Sequence, residues 1–216
     1  LCQGLIMAGQ PDCCLAVDEW IERFGRWIDQ GAPEDLLKAS IYFDFRPLAG
    51  ALALAAPLRE FVRTRAAQMP RFTRQLAENA LRSAPRLNWR GALDPQREGA
   101  HEWIDLKLNG TMVFVDAARL YALALGVDAT ATRARFEAVG ATMQVAAREC
   151  QTWIGAFEFL QMLRLRVQAP GAAKPADPNP NRLDLKTLND IDRRMLKESF
   201  RAAQRLQQRM ALDYLR

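Results

Sequence analysis

Apolar residues recur every three or four positions along most of this chain, and Pro and Gly interrupt the pattern at short intervals. A chain patterned this way buries its apolar stripes by packing helix on helix. Residues 111–125 carry the pattern most cleanly: Val113, Phe114, Ala117, Leu120, Tyr121 and Leu125 form the stripe, with Gly110 before it and Gly126 as the stop. Val17, Trp20, Ile21, Phe24, Trp27 and Ile28 predict a helix over 13–29, with Asp12 as its cap and Gly31 as its end. Pro33 and Pro70 stand where first helical residues belong, ahead of segments 34–46 and 70–83. Residues 51–67 are rich in Ala, Leu and Arg and are helical by propensity. Thr130 is read as the cap of a helix over 131–143, and a long helix follows over 145–168. The last helix runs from Asn189 to Tyr214, with Leu196, Phe200, Ala203, Met210 and Tyr214 in a seam near the heptad period. These segments predict an all-α fold, an antiparallel bundle of seven to eight helices. Residues 84–102 read as a loop, and 103–108 alternate like one short strand with no evident partner. The Pro-rich stretch 169–181 reads as an extended loop.

With 216 residues, half of them apolar and a quarter charged, the chain can bury a sizeable core and is not of disordered composition. No apolar run approaches the roughly 20 residues of a membrane-spanning helix. The net charge of +5 is unevenly placed: residues 1–50 carry 8 acids against 4 bases, and residues 51–90 carry 8 Arg against 2 Glu. Such an excess suits nucleotide, phosphate or nucleic-acid partners, and equally suits solvated helix faces. Cys2, Cys13, Cys14 and Cys150 lack metal-ligand spacing and His101 is the sole histidine, so no metal site is assigned. Free thiols in a reducing cytoplasm are the simplest account of these cysteines. The opening residues read as the middle of a polypeptide, so the chain is expected to be part of a longer protein.

Several polar groups stand in apolar surroundings. Asp44 and Arg46 lie two apart at a helix end, ahead of Pro47 and Gly50, as a local ion pair or as groups projecting from the bundle. Asp105 and Lys107 share a side if 103–108 is extended. Asp116 and Arg119 are helical neighbours inside the most apolar helix, either a structural ion pair or a polar pocket. Arg164, Arg166 and Gln168 close the long helix, where cations complement its dipole, and Asn181 and Arg182 follow the Pro-rich stretch. Arg193, Lys197, Arg201, Arg205 and Arg209 form a slowly winding basic ridge, either solvated or suited to phosphate groups or an acidic partner. The Asp190–Asp192 D-x-D opens the last helix, where capping and the dipole favour Asp, and lacks a preceding Gly-Ser strand–turn; it is not read as metal-binding. Walker, GxSxG and His-based triad patterns are missing, so no residue is assigned as catalytic.

Four stretches in series bear a family likeness: ASIYFDFRPLAG (39–50), IDLKLNG with VDAARLYALALGV (104–127), FEFLQMLRLRVQ (157–168) and PNRLDLKTLNDIDRRMLKESFRAAQRLQQ (180–208). Together they resemble the putative nucleotidyltransferase substrate-binding domain. That is the helical domain following a polymerase-β-like nucleotidyltransferase domain in bacterial signal-transduction proteins, often with cyclic-nucleotide-binding and CBS domains upstream. The start, LCQGLIMAGQPDCC, looks like the junction from that catalytic domain, which places the junction at 1–12 and the helical domain at 13–216. It departs from the family's usual Asn-Pro and aromatic, and Val167 stands where the family often has His before the position of Gln168.

The resemblance implies an accessory domain that contacts nucleotide or acceptor and closes the cleft of a catalytic domain holding the Gly-Ser loop and the metal carboxylates. It implies substrate-binding roles for Asp44, Arg46, Lys107, Asp116, Arg119, Arg164 and Arg182. The cations would meet phosphate or an acidic acceptor, and the Asp residues would orient them or bind ribose hydroxyls. No cofactor is expected in this chain; Mg²⁺ and NTP belong to the parent enzyme. The expected partners are the nucleotidyltransferase domain, a nucleotide and a protein acceptor, in the cytoplasm and away from membranes. Two other readings stay open. One is a non-enzymatic signalling module that dimerises through the 188–214 seam. The other is RNA binding through the Arg-rich 51–90 segment, which the lack of interleaved aromatics argues against.

Overall fold

The computed structural model describes residues 11–99, 101–169 and 179–216. Most of the expected 1–12 junction and the middle of the 169–181 loop lie outside those residues. Eight α-helices are formed among the described residues: α1 (Val17–Gln30), α2 (Pro33–Tyr42), α3 (Ala55–Ala67), α4 (Pro70–Ala80), α5 (Met112–Ala124), α6 (Thr132–Thr142), α7 (Ala147–Gln168) and α8 (Asp190–Tyr214). The predicted helical bundle is therefore the architecture of the chain. No helix among the described residues is long and apolar enough to cross a membrane.

Local chemistry explains several helix ends. Gly31 takes the left-handed conformation at φ 62° and its amide donates to the Trp27 carbonyl at 3.2 Å, which closes α1. Pro33 and Pro70 open α2 and α4, where a missing amide proton costs nothing. Two caps differ from the sequence reading. Residues Pro11–Cys13 form a 3₁₀ turn, and α1 starts only at Val17, with Ala16 at the cap and its amide donating to Glu19 Oε2 at 2.7 Å. The cap of α6 is Ala131 rather than Thr130.

The core is built around α5. Its Val113, Phe114, Ala117, Leu120 and Tyr121 are all but inaccessible to solvent, and it packs against α3, α4, α6 and α8. Each large side chain so buried contributes about 1.5–3 kcal/mol relative to exposure. Trp20, Phe24, Trp27, Tyr42, Phe43 and Phe72 form a connected aromatic cluster where α1 and α2 meet α4, with neighbouring ring centroids 5.0–6.5 Å apart. The α8 seam is used within the chain: Leu196, Phe200, Ala203 and Met210 are buried, and α8 lies along α7.

The sequence reading of 84–102 as loop and 103–108 as an unpartnered strand is corrected. A three-stranded antiparallel sheet forms from β1 (Gln96–Glu98), β2 (His101–Asp105) and β3 (Arg182–Asp184). In it Gln96 pairs with Trp103, and Asp105 pairs with Arg182. The extended segment ends at Asp105, and Lys107–Thr111 coils into a π-helical turn leading into α5. Gly110 lets that turn sit against the core, because a Cβ there would stand 3.3 Å from Leu160 Cδ1.

Candidate functional site

The sequence-predicted residues fall into two groups. The first centres on Asp44, just beyond the end of α2. One of its oxygens accepts from Arg119 Nε at 3.2 Å and Nη2 at 2.6 Å; the other accepts from Arg135 Nη2 at 2.5 Å. Arg119 Nη1 reaches Asp116 Oδ1 at 3.2 Å, and Arg135 Nε donates to the Ala129 carbonyl at 2.7 Å. The Arg135 side chain is 4% exposed, that of Arg119 13% and that of Asp44 27%. Burial pushes the Asp44 carboxyl up, but the hydrogen bonds and charges of the two guanidiniums outweigh it and hold the group below its ordinary value. Asp116 goes the other way: burial raises it, and the Arg119 charge offsets only part of that rise.

Asp44, Asp116 and Arg119 are thus together, as the sequence suggested, and they are joined by Arg135, which sequence reasoning missed. Arg135 sits beside Phe136, and the acid it pairs with, Asp44, lies 91 positions away, so nothing in the local pattern marks it. The group is internally neutral, two carboxylates against two guanidiniums. Chemically it is a clamp that ties the 43–46 segment to α5 and α6. The cleft beside it, lined by Phe43, Phe45, Arg59, Arg63, Val127 and Arg135 among others, encloses about 30 Å³. That is room for a water or two and far below the roughly 300 Å³ of a small-molecule pocket.

Arg46 lies just outside this clamp. It is exposed and has no ion-pair or hydrogen-bond partner among the described residues.

The second group surrounds the π turn. Asp105 is buried, and its carboxylate caps the turn by accepting from the amides of Lys107 and Leu108, both at 2.8 Å, and from Asn179 Nδ2 at 2.7 Å. This corrects the expected side-by-side placement of Asp105 and Lys107, because the strand has already ended between them. Lys107 is exposed and without an ion-pair partner among the described residues. Arg164 reaches Asn181 Oδ1 at 3.0 Å, Gln161 Oε1 at 2.8 Å and Thr111 Oγ1 at 3.4 Å, and Gln168 donates to the same Asn181 oxygen at 3.0 Å. Asn181, Asn179, Gln161 and Thr111 were not among the predicted site residues, although Asn181 stands next to Arg182 in sequence. Arg182 lies over the Trp103 ring, 4.2 Å from its centroid, and pairs with Glu98. Asn109 donates to the Ala84 carbonyl at 3.2 Å, while its own carbonyl oxygen is buried without a partner among the described residues. π-Helical turns recur at functional sites, and this one gathers cations and amides at one end of the bundle.

Comparison with protein families gives two matches. The model described as putative nucleotidyltransferase substrate binding domain matches residues 70–214, about two-thirds of the chain. The chain belongs to this family. The model described as putative nucleotidyltransferase DUF294 matches residues 1–34. No curated protein and no solved structure matched the chain.

The substrate-binding family match spans α4 to α8 and all three strands, including the whole π turn. It leaves Asp44 and Arg46 outside, yet Asp44 is bound to Arg119 and Arg135 inside it. The other match runs through α1. Within the substrate-binding domain one member of the D-x-D is engaged structurally: Asp192 pairs with Arg166 at 2.9 Å and its amide donates to the cap residue Asn189 at 2.8 Å. Three members of the basic ridge are also held intramolecularly. Arg193 donates to the Leu185 carbonyl, Arg201 to the Gly91 carbonyl, and Arg209 lies against Glu149, Asp213 and the Trp153 ring.

Proposed function

We propose that this chain is the accessory substrate-binding domain of a nucleotidyltransferase, not catalytic by itself, which contacts nucleotide or acceptor and closes the cleft of a partner catalytic domain. The observation that carries this reading is the family match over α4–α8. In this reading the π turn is the place, because it carries exposed Lys107 and Asn109 with its unsatisfied oxygen and adjoins the Arg164–Asn181–Gln168 network. In this reading Lys107 and Arg46 meet phosphate or an acidic acceptor directly. Arg164 and Arg182 shape the surface around them, and the Asp44, Asp116 and Arg119 clamp holds the 43–46 segment in position. The metal carboxylates of the transfer belong to the catalytic domain, because the carboxylates of this chain's two groups are already committed to arginines and amides. Mg²⁺-NTP is the substrate of the pair of domains, and a protein acceptor fits the free cations.

Calorimetric titration of Mg²⁺ complexes of ATP, GTP, CTP and UTP tests this, first with the 216-residue chain and then with the nucleotidyltransferase domain joined to it. Saturable binding that Lys107→Ala or Arg46→Ala weakens at least fivefold supports the reading. Silence from both proteins, or binding indifferent to both substitutions, sinks it.

A further inference from the structure

Of the five tryptophans, Trp20, Trp27, Trp103 and Trp153 are buried or packed against other side chains; Trp89 is 87% exposed. Its position is nonetheless tightly built. Residues 86–94 form a small hairpin: the Asp94 amide donates to the Arg86 carbonyl at 2.9 Å, Leu87 bridges Leu93, and the Asn88 amide donates to the Ala92 carbonyl at 2.9 Å. The tip is a β-turn closed by the Gly91 amide on the Asn88 carbonyl at 2.8 Å, with Gly91 at φ 69°. Asn88 Oδ1 accepts from the amides of Arg90 and Ala92, at 2.9 and 3.0 Å. Arg201 of α8 donates to the Gly91 carbonyl and fastens the tip to the bundle. Leu87 and Leu93 point their apolar bulk at the core, so the turn is held rigid and its indole still stands in solvent.

The surroundings are cationic. The Arg90 guanidinium lies over one face of the Trp89 ring, 4.4 Å from the centroid. Lys197 and Arg205 stand one helical turn to either side of Arg201 on the same ridge, and neither has a carboxylate partner among the described residues. An apolar docking patch for protein or lipid gathers several exposed aliphatic residues. Here a single flat ring is accompanied by Arg90, Lys197 and Arg205, while Arg201 is neutralised by Glu198 at 2.7 Å; a stacking ring with nearby cations is how proteins bind nucleotides by stacking and charge. The sequence argued against nucleic acid for want of interleaved exposed aromatics, and Trp89 supplies a single exposed ring.

We propose that the Asn88–Gly91 turn is a binding site for a nucleotide unit, with the open face of Trp89 stacking on the base while Arg90, Lys197 and Arg205 take the attached phosphates. The unit is either a free nucleoside triphosphate or part of a single RNA strand. This site is independent of the π-turn residues assigned above, although Asn109 ties the π turn to Ala84 at the foot of the hairpin.

The test uses the 216-residue chain at about 50 mM salt, where phosphate contacts are strong. Anisotropy of a labelled eight-residue oligouridylate reads the strand, and quenching of tryptophan emission by ATP and UTP reads the free nucleotide. Trp89→Ala should leave the melting temperature unchanged and raise Kd about 5- to 150-fold, the range of one lost base stack. Trp89→Phe should keep most of the affinity, and Arg205→Ala should reduce the salt slope of log K by about 0.7. Trp89-dependent binding of mononucleotides assigns the free nucleotide; binding of the oligomer alone assigns the strand. The proposal is overturned if neither ligand binds or if Trp89→Ala changes Kd less than twofold. It is equally overturned if inorganic tripolyphosphate competes as well as ATP, or if Trp89 emission shifts only with anionic vesicles. Binding lost in Lys107→Ala but indifferent to Trp89→Ala overturns this site and supports the accessory-domain reading; the converse result separates them the other way.

Discussion

Replacing Asp44 with Ala removes the anion that two partly or fully buried guanidiniums share. Arg135 keeps only its bond to the Ala129 carbonyl, and Arg119 keeps Asp116 at 3.2 Å. Breaking a buried pair from one side costs about 3–5 kcal/mol, because the partner charge stays buried. The partial exposure of Asp44 and the surviving Asp116 contact place the loss near the low end, about 3 kcal/mol, which for a chain of this size lowers Tm by roughly 6–12 °C. The sign of the pH effect follows from the lowered carboxyl. Folding stabilises ionised Asp44, so its contribution is complete above the ordinary value of 3.8 and disappears as pH falls through the folded value. Thermal melts of wild type and Asp44→Ala at pH 7, 5 and 3 should show a full gap at the two higher values and a narrower one at the lowest. The double variant Asp44→Ala/Arg135→Met should cost less than the two single losses combined, by about 1–3 kcal/mol. A gap under about 2 °C at pH 7, or a gap unchanged at pH 3, would refute the clamp.

Asp116→Asn should behave differently. Burial raises this carboxyl, so the folded state disfavours its ionised form and its effect on stability worsens as pH rises from 3.8 through the folded value. Chemical denaturation at pH 7 should find this variant within about 1 kcal/mol of wild type, neutral or stabilised. Tyr121 is buried and donates to Asp213 Oδ2 at 2.7 Å; burial and that carboxylate push its phenol far up, while Tyr214 is pushed up to about 12. The unfolded chain therefore releases these protons first, and stability should fall above about pH 10. Tyr121→Phe should cost about 1 kcal/mol at pH 7 by urea titration and shrink that alkaline decline without abolishing it, because Tyr214 remains.

Helices were legible in the sequence because their signals are local. The stripes of α5, α7 and α8 and the punctuation of Gly31, Pro33, Pro70 and Gly126 fall within a few residues of the ends they set. The sheet was hidden for the opposite reason. Each of its outer strands is three residues long, and β2 finds β3 nearly eighty positions away, so no window of sequence contains the pairing. The candidate site divides in the same way. Asp116 and Arg119 read as partners because they are three apart on one helix, whereas Asp44 and Arg135 meet only through the packing of α5 and α6. Lys107 was expected on a strand beside Asp105, and the π turn that separates them is seated closely against Leu160 at Gly110. The exposure of Trp89 left no trace at all, since an indole in a polar loop reads the same whether it turns inward or out.

The Asp44 clamp crosses the border at residue 70, where likeness to the substrate-binding family begins. The unit that families recognise is therefore smaller than the unit that holds itself together. A chain cut at that border would inherit Arg135 without its counter-ion, Arg119 with Asp116 alone, and Phe72 without the Phe43 ring against which it packs. Position 44 is therefore constrained by two distant helices at once, through Arg119 and Arg135.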